Sequence, residues 1–229
     1  MCRPGAAARV IYAVMRSVVR LIALVILGRR LHIEGLRNVP RRGAVLVVGN
    51  HVGAVDPPLT GTHIPRLDVY YMAKSELFAN RVMGWLFMRN HAFPVVRESA
   101  DRGALRRALD ILKHGHVLLL YPEGTRSVDG RVGEPHAGAG FIARNSQVLI
   151  VPVASWGSER VIPRGKWMPR RADVHLRFGE GFHLPLHGDD GKALTSRQAA
   201  ALMMARVEAL LPRERPDAGR VANDRQPAA

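Results

Sequence analysis

The sequence contains five short, uninterrupted apolar runs of strand length, separated by segments with helical periodicity. In chain order, the runs are Ala44–Gly49, Val69–Ala73, Phe93–Val96, Val117–Tyr121 and Val148–Val153. A strand that is buried on both faces has no polar face, so continuous apolar runs indicate strands inside a covered sheet. Alternation of such strands with helices is typical of parallel pairing. The pattern therefore predicts an α/β fold with a mostly parallel sheet flanked by helices on both faces.

The remaining segments complete this predicted domain. Helices are expected at about residues 80–90, 100–113, 137–145 and 195–211. The segment Ala172–Phe178 alternates apolar and polar residues, which predicts an edge strand and makes the sheet mixed. We place this predicted domain at residues 31–212. Residues 213–229 are polar, contain proline and lack aromatic residues, so we expect a disordered tail.

The first 30 residues form a basic and apolar segment. Six arginines and no acidic residue precede Glu34, and Val10–Leu27 is otherwise rich in apolar residues. On a helical wheel, Arg9, Arg16 and Arg20 fall within roughly 40° of one another. This pattern predicts an amphipathic helix that lies in a membrane interface with its arginine face toward anionic headgroups. The alternatives are a core helix with a solvated arginine stripe and a marginal transmembrane span.

The charge of the chain restricts its partners. There are 34 Lys and Arg residues against 19 Asp and Glu, which gives a formal net charge of +15. Such a charge attracts nucleic acid, anionic lipid headgroups and phosphorylated substrates, and it does not choose among them. Cys2 is the only cysteine, which excludes a disulfide within one chain and a cysteine-rich metal site.

The first candidate for chemistry follows the Ala44–Gly49 strand directly. It contains Asn50, His51 and Asp56, with Pro57 after the aspartate. Sites in parallel sheets gather beyond the carboxyl ends of strands, and histidine is the usual general base near neutral pH. An aspartate on the other ring nitrogen would fix the tautomer. Asp56 also suits the N-cap of a helix with proline at its first position.

The spacing of this pair is weak evidence by itself, because His63 and Asp68 repeat it. A second candidate is Tyr121–Ser127, which also ends an apolar run and combines a carboxylate, a glycine, two hydroxyls and an arginine. Such a turn is suited to binding phosphate, although an ordinary turn with a surface salt bridge has the same composition. A third candidate is Arg97, at the end of the Phe93–Val96 run. The sequence contains no nucleophile elbow, P-loop or dinucleotide fingerprint.

Taken together and in this order, the segments resemble the glycerolipid acyltransferase family, typified by 1-acylglycerol-3-phosphate acyltransferases. Asn50, His51 and Asp56 match the family's Asn-His-x4-Asp block. Phe93–Arg97 matches a second block that ends in arginine. Tyr121–Ser127 matches Phe-Pro-Glu-Gly-Thr-Arg-Ser, with tyrosine for phenylalanine, and Val151–Val153 matches a fourth, proline-containing block. The segment Ala73–Phe78 is also similar to the family, and Gly53 departs from the serine of many members.

The resemblance implies a fold, a reaction and a set of site residues. The reaction is transfer of an acyl group from acyl-CoA or acyl carrier protein to the free hydroxyl of 1-acylglycerol-3-phosphate or a related lysophospholipid, giving phosphatidate. His51 and Asp56 are then catalytic, without an acyl-enzyme, a metal or a cofactor. The implied substrate-binding residues are Asn50, Lys74, Arg97, Glu123, Gly124, Thr125, Arg126 and Ser127.

The same resemblance gives the positive charge a use, because the acceptor and the membrane surface that holds it are both anionic. We therefore expect an anionic membrane surface as a partner, no nucleic acid, and a peripheral or monotopic location on the cytoplasmic face of the cell membrane. Two other classes stay open at this point. A hydrolase would use the same His51–Asp56 pair on water, and a non-catalytic basic protein would bind nucleic acid or membrane without needing His51.

Overall fold

The computed structural model describes residues 6–96, 101–127, 129–188 and 191–213, with side chains from Arg9 onward. Arg97 and nearly all of the predicted tail lie outside these residues. The described chain forms a seven-stranded mixed sheet with helices on both faces. The predicted α/β fold is therefore confirmed.

The strands are β1 (Leu31–Glu34), β2 (Val45–Gly49), β3 (Val69–Lys74), β4 (Ala92–Val95), β5 (Val117–Leu120), β6 (Leu149–Trp156) and β7 (Val174–Phe178). The α-helices are α1 (Ala6–Leu27), α2 (Asp56–His63), α3 (Arg81–Arg89), α4 (Arg102–Lys113), α5 (Ala137–Ser146) and α6 (Ser196–Glu208). Short 3₁₀ helices cover Gly28–Arg30, Leu36–Asn38, Ser75–Phe78 and Ser158–Arg160.

The strand order in the sheet is β1-β7-β6-β2-β5-β3-β4. Strands β2 to β6 are parallel, β7 is antiparallel to β6, and β1 is parallel to β7. The five parallel strands therefore end together, and we call that side the carboxyl end of the sheet and the opposite side the amino end. Residues that follow β2, β3, β5 and β6 meet at the carboxyl end.

The prediction that Ala172–Phe178 forms an edge strand is wrong. Strand β7 lies between β6 and β1, and β1 forms the edge of the sheet on that side. The alternation is real, because the side chains of β7 are alternately buried and half-buried. It reports how well each face is covered, and it carries no information about whether a neighbour pairs with the backbone. Strand β1 was missed because it is only four residues long and contains polar residues.

Alternate residues of the central strands belong to two separate cores. Leu46 and Val48 of β2 pack with α4, α5 and α6 on one face of the sheet. Val45 and Val47 pack on the other face with α1, α2 and β7. The continuous apolar runs in the sequence follow from this arrangement, since neither face of these strands is exposed to water.

Helix boundaries follow local capping chemistry. The side chain of Asn80 accepts hydrogen bonds from two amides in the first turn of α3, and Asp101 accepts one from the first turn of α4. Thr195 and Gln198 form a capping box at α6. Helix α2 begins at Asp56 itself, with prolines in its first turn. The expected N-cap role of Asp56 is therefore wrong, and its carboxylate is directed to the preceding loop, as described below.

Helix α1 packs against α2 and buries one arginine of the predicted stripe, Arg16, while Arg9 and Arg20 are exposed. Arg16 is only 7% exposed. Its guanidinium donates to the backbone carbonyls of Thr62, Ile64 and Arg66, at and beyond the end of α2. These carbonyls have no helical partners, so a buried arginine that satisfies three of them is stabilised there. The prediction that this arginine faces lipid headgroups is wrong, because the wheel groups residues without showing which group faces the protein.

The outward face of α1 is apolar. Its large exposed side chains are Val10, Val14, Val18, Leu21, Ile22, Leu24 and Val25. By length and composition alone, the stretch Arg9–Arg30 could cross a membrane: an 18-residue window within it has a mean hydropathy of 2.2, and 22% of that window is buried in the protein. Tyr12, Ala23 and Leu27 fasten its inner face to the domain. One side of the helix is thus part of the fold, and the other side is an apolar surface that the described residues leave exposed.

Candidate active site

The loops at the carboxyl end of the sheet bring the first two candidate segments together. His51 lies in the loop between β2 and α2, and the turn Tyr121–Ser127 follows β5. Because β2 and β5 are adjacent and in register, these two segments leave the sheet side by side. The third contribution comes from the end of β6, the neighbour of β2 on its other side.

His51 and Asp56 form a hydrogen-bonded pair. Nδ1 of His51 lies 3.0 Å from Oδ2 of Asp56. The side chain of His51 is 14% exposed and that of Asp56 is fully buried. Nε2 of His51 makes no hydrogen bond to any residue that the structure describes, so it is available to a ligand. The pair therefore has the geometry of a general base oriented by a carboxylate.

The carboxylate of Asp56 is surrounded by neutral donors. Oδ2 accepts from the backbone amides of Val52 and Gly53, at 2.8 and 2.7 Å. Oδ1 accepts from the hydroxyl of Ser155, at 2.8 Å, and from that of Ser158. With His51, five donors fix both oxygens in place. A buried carboxylate needs such partners, since an unsatisfied charge in this setting would be costly.

Gly53 permits the close approach of Ser158 to Asp56. A β-carbon at position 53 would lie 2.5 Å from the hydroxyl oxygen of Ser158 and 2.5 Å from its backbone carbonyl carbon. No larger residue fits there without displacing the 3₁₀ helix Ser158–Arg160. The departure noted at this position thus has a structural reason: the missing side chain leaves space that the segment after β6 occupies.

The backbone of His51 is held by the turn Tyr121–Ser127. Its amide donates to the carboxylate of Glu123, at 3.2 Å, and its carbonyl accepts from the amide of Ser127, at 2.7 Å. The ring of Tyr121 lies 4.8 Å from the imidazole, and its hydroxyl donates to Thr60 of α2. The turn therefore positions the histidine through both of its backbone polar groups and through ring packing.

Glu123 lies inside the protein, and only 6% of it is exposed. Loss of hydration raises the pKa of its carboxyl group to about 7, although the amides of His51 and Gly133 oppose the rise. The buried charge of Asp56 acts in the same direction as burial. Glu123 thus acts on the backbone of His51, and its carboxyl group changes protonation state near neutral pH.

Asn50 is also engaged within the protein. Its amide nitrogen donates to the carbonyl of Ser155, at 2.9 Å, and its amide oxygen accepts from the backbone nitrogen of Ser155, at 2.8 Å. The side chain is completely buried. This two-bond link continues the pairing of β2 with β6 by one step, and it holds the residue before His51 against the residue that contacts Asp56.

The other residues predicted to bind substrate, apart from Arg97, follow or end strands at the carboxyl end of the sheet. Lys74 ends β3 and pairs with Glu76, at 2.9 Å. Gly124 adopts a positive φ of 66°, which favours glycine and shapes the turn. The Arg126 guanidinium makes no ion pair with a described residue. Thr125 is exposed and Ser127 is half-buried. Arg97 lies outside the described residues, two positions beyond the end of β4.

Sequence reasoning missed Ser155 and Ser158. A signal existed for Ser155, since it is a polar residue near the carboxyl end of an apolar strand. Ser158 had none, because its contact with Asp56 depends on the path of the chain after β6. His63, which has the same sequence spacing from Asp68, makes no hydrogen bond to it, and its ring contacts the carbonyl of Leu59. Among the described residues, no group of three or more His, Cys, Asp or Glu is placed to hold a metal ion.

Comparison with known proteins identifies relatives of this chain. Residues 30–156 match the acyltransferase family model. The chain is 31% identical over 166 residues to a 1-acyl-sn-glycerol-3-phosphate acyltransferase of Bacillus subtilis, covering 72% of this chain and 78% of that protein. It is 28% identical to a chloroplastic enzyme of the same name from Arabidopsis thaliana, of which it spans 46%.

A solved structure shares the fold. The 1-acyl-sn-glycerophosphate acyltransferase of Thermotoga maritima superposes with a TM-score of 0.69 at 24% sequence identity, over 93% of this chain and 85% of that one. The family match covers more than half of the chain, and it includes the His51–Asp56 pair, the turn Tyr121–Ser127 and the end of β6. This chain belongs to the acyltransferase family.

Proposed function

We propose that this acyltransferase moves a fatty acyl group from an acyl thioester to the free hydroxyl of 1-acylglycerol-3-phosphate, giving phosphatidate in phospholipid synthesis. The observation that carries the proposal is the His51–Asp56 pair, with one ring nitrogen of His51 bound to Asp56 and the other free at the carboxyl end of the sheet. The relatives from Bacillus subtilis and Arabidopsis thaliana bear the name of this reaction.

The reaction needs one base and proceeds by direct transfer. Nε2 of His51 takes the proton from the acceptor hydroxyl as its oxygen attacks the thioester carbonyl. Collapse of the tetrahedral intermediate breaks the carbon–sulfur bond, and His51 returns the proton to the departing thiolate. Asp56 stabilises the imidazolium that exists between these steps.

The hydroxyls near His51 are engaged and support direct transfer. Ser155 and Ser158 are buried and donate to Asp56, so neither is oriented toward Nε2 of His51 as a nucleophile would be. Ser127 donates to Asp129. A base without a paired nucleophile on the protein suits a reaction in which the substrate brings its own hydroxyl.

The phosphate of the acceptor fits the basic and polar groups around the turn. We assign its binding to Lys74, Arg97, Thr125, Arg126 and Ser127, together with the backbone at Gly124. The guanidinium of Arg126 can donate two parallel hydrogen bonds to a phosphate. Asn50 and Glu123 do not contact the phosphate in this proposal. They hold the segment that contains His51 in position. The thioester donor is either acyl-CoA or acyl carrier protein.

Helix α1 is proposed to place the enzyme on the cytoplasmic face of the cell membrane. Its outward apolar face would lie in the bilayer, while Arg16 and Leu27 hold its inner face to the domain. A helix fastened to the domain in this way lies along the membrane surface and does not cross it. A lysophospholipid could then present its headgroup to His51 while its acyl chain stays in lipid.

Purified protein incubated with labelled acyl-CoA and a panel of lysophospholipids tests the reaction by product mass analysis. We expect labelled phosphatidate, and about 10² to 10⁴-fold less of it from His51→Ala. Arg126→Lys should raise the KM for the acceptor with little change for the donor, because lysine keeps the charge and loses the planar fork. Release of free fatty acid alone, with or without acceptor, would show a hydrolase instead.

The membrane location is tested by substitution on the outward face of α1. Deleting residues 1–30 would also remove Arg16 and Leu27 from the fold. A loss of membrane binding in that variant could not be separated from a loss of folding stability. Val14→Glu with Val18→Glu alters only exposed positions. We expect this variant to move from the membrane pellet to the supernatant while keeping its activity on detergent-dispersed substrate. Retention of the variant in the pellet after a high-salt wash would contradict the interfacial helix.

A further inference from the structure

Among the described residues, Trp167 is the most exposed large apolar side chain, at 84%, and its neighbour Met168 is 59% exposed. Both lie in the loop of residues 162–171, between β6 and β7. Burying a tryptophan removes a large apolar area from water. A partner that covers an exposed tryptophan is therefore stabilised by that burial. This feature belongs neither to the His51–Asp56 pair nor to α1.

The loop has a defined base and a defined turn. The amide of Arg170 donates to the carbonyl of Val161, at 2.7 Å, which closes the base. The amide of Lys166 donates to the carbonyl of Pro163, at 3.0 Å, across a turn in which Gly165 has a φ of 75°. Proline and glycine at these positions favour a tight turn. Trp167 and Met168 therefore follow an ordered turn and are held away from the domain.

The charges of the loop have one sign. Arg164, Lys166, Arg170 and Arg171 are all exposed, and the loop contains no acidic residue. Arg164 donates to the backbone carbonyls of Arg126 and Ser127. Lys166, Arg170 and Arg171 make no ion pair with any residue that the structure describes. An aromatic and an apolar side chain between unpaired cations suit an interface between hydrocarbon and anionic headgroups.

The position of the loop connects the candidate active site with α1. Through Arg164 the loop contacts the turn that holds His51. At its base, Val161 and Ala172 are buried in the same core as Ala23 and Leu27 of α1. Helix α1 ends at the carboxyl end of the sheet, because β1 follows it and runs antiparallel to β2. The exposed end of α1 and the loop therefore lie on the same side of the molecule as His51.

We propose that the 162–171 loop is a second membrane contact, in which Trp167 and Met168 enter an anionic bilayer surface and Lys166, Arg170 and Arg171 bind its headgroups. This inference rests on the proposed function and deepens it. The α1 face alone leaves the protein free to tilt about the helix. A second contact beside the site removes that freedom and directs the carboxyl end of the sheet, with His51, at the lipid.

Fluorescence of Trp167 tests the contact directly in the full-length protein. The chain has three tryptophans, so Trp85→Phe with Trp156→Phe leaves Trp167 as the single probe. Vesicles of phosphatidylcholine and phosphatidylglycerol with brominated acyl chains should quench its emission. In the matched control, Trp85 is the only tryptophan retained, and its emission reports the surroundings of a side chain on α3. Emission of Trp167 that is unquenched in vesicles that bind the protein would overturn the proposal.

Kinetics on two forms of the substrate separate the loop from the reaction. Lys166→Gln, Arg170→Gln and Arg171→Gln together should lower activity on anionic vesicles by about a hundredfold, since each of the three cations near such a surface contributes roughly fivefold. Trp167→Ala should lower it by about fivefold to tenfold. Both variants should keep full activity on detergent-dispersed acceptor, whereas failure of the proposed function would leave even the unaltered protein inactive there.

Matched controls remove the same kinds of side chain from the other face of the sheet. Arg102, Arg106 and Lys113 of α4 are exposed, and their replacement by Gln removes as many charges. Leu186→Ala removes an apolar side chain that is 63% exposed. Equal loss of vesicle activity in these controls would overturn the proposal. So would a raised KM for acyl-CoA in detergent with the loop variants, since that result would assign the loop to the donor.

Discussion

Two histidine–aspartate pairs of nearly the same geometry lie at opposite ends of the sheet. At the carboxyl end, Nδ1 of His51 lies 3.0 Å from Oδ2 of Asp56. At the amino end, Nδ1 of His116 lies 3.1 Å from Oδ2 of Asp68. The histidine side chains are 14% and 15% exposed, respectively. Neither the distance nor the burial of the imidazole distinguishes the two pairs.

The partners of the aspartates do distinguish them. Asp56 is fully buried among neutral donors, whereas Asp68 is 30% exposed and paired with Arg66. Burial acts to raise the pKa of Asp68, but hydrogen bonds and charge from Arg66 and His116 together lower it. A carboxylate already paired with a guanidinium has less effect on an imidazolium. We interpret the pair at the amino end as structural, since Arg66 also donates to the carbonyls of Gly43 and Gly115.

The strongest test of this comparison is to remove each histidine. We expect His51→Ala to lower kcat/KM by about 10² to 10⁴-fold, the usual loss of a general base. His116→Ala and His63→Ala should keep most of the activity, although their pairing or sequence spacing is similar. The measurement is acyl transfer to detergent-dispersed acceptor. A larger loss in His116→Ala than in His51→Ala would exchange the roles of the two pairs.

The next test removes the neutral donors that set Asp56 apart. Ser155→Ala and Ser158→Ala should each lower kcat by about tenfold with little change in KM, because a lost hydrogen bond to a buried carboxylate costs about 1–2 kcal/mol. Ser75→Ala is the control, since its hydroxyl donates to the exposed Glu76. Complete loss in Ser155→Ala, together with an acyl group trapped on the native protein, would mean that Ser155 is a nucleophile.

Glu123→Gln tests how the turn contributes to the pair at the carboxyl end. Because its pKa is raised from 4.5 to about 7, Glu123 favours folding below about pH 4.5, and this contribution is lost as the pH rises through about 7. The rise corresponds to roughly 3 kcal/mol at most. We expect the free energy of unfolding of Glu123→Gln to increase relative to the native protein across that window.

The activity of Glu123→Gln tests whether Glu123 positions His51 or binds the phosphate of the acceptor. Glutamine keeps an oxygen that can accept from the amide of His51, so kcat should fall by only a few fold. Denaturant unfolding at several pH values gives the stability, and Glu134→Gln is the control for removing a carboxylate nearby in sequence. A pH profile of stability unchanged by Glu123→Gln would show that the raised pKa is incorrect.

The smallest effect on activity is expected at the amino end. Asp68→Asn should leave acyl transfer unchanged and lower the free energy of unfolding by about 1–2 kcal/mol near neutral pH, because Arg66 loses its ionic partner. The lowered pKa of Asp68 means that its contribution is present above its ordinary value of 3.8 and is lost as the pH falls below it. Asp173→Asn, at an exposed pair with Arg30, is the control.

Much of this molecule follows from local sequence patterns. The apolar runs predicted the five parallel strands, and most of the predicted strand ends lie within one or two residues of the observed ends. The capping residues Asn80, Asp101 and Thr195 lie where the helices begin. His51 was a candidate because it follows a buried strand, and it was preferred to His63 on the resemblance to the acyltransferase family. These features depend on side-chain periodicity and on backbone groups a few residues away, so a short stretch of sequence is enough to predict them.

The contacts between groups far apart in the chain followed from the packing of the fold. This packing placed Arg16 inside, on the carbonyls at the end of α2, and left the apolar face of α1 outside. The fold also places Ser155 and Ser158 within hydrogen-bond distance of Asp56. It pairs Asp68 with His116, and not with His63. A periodic pattern fixes which side chains share a face, but the partner of that face is set by packing and by the need to satisfy buried charges and carbonyls. Those partners lie tens of residues away, beyond what any local pattern encodes.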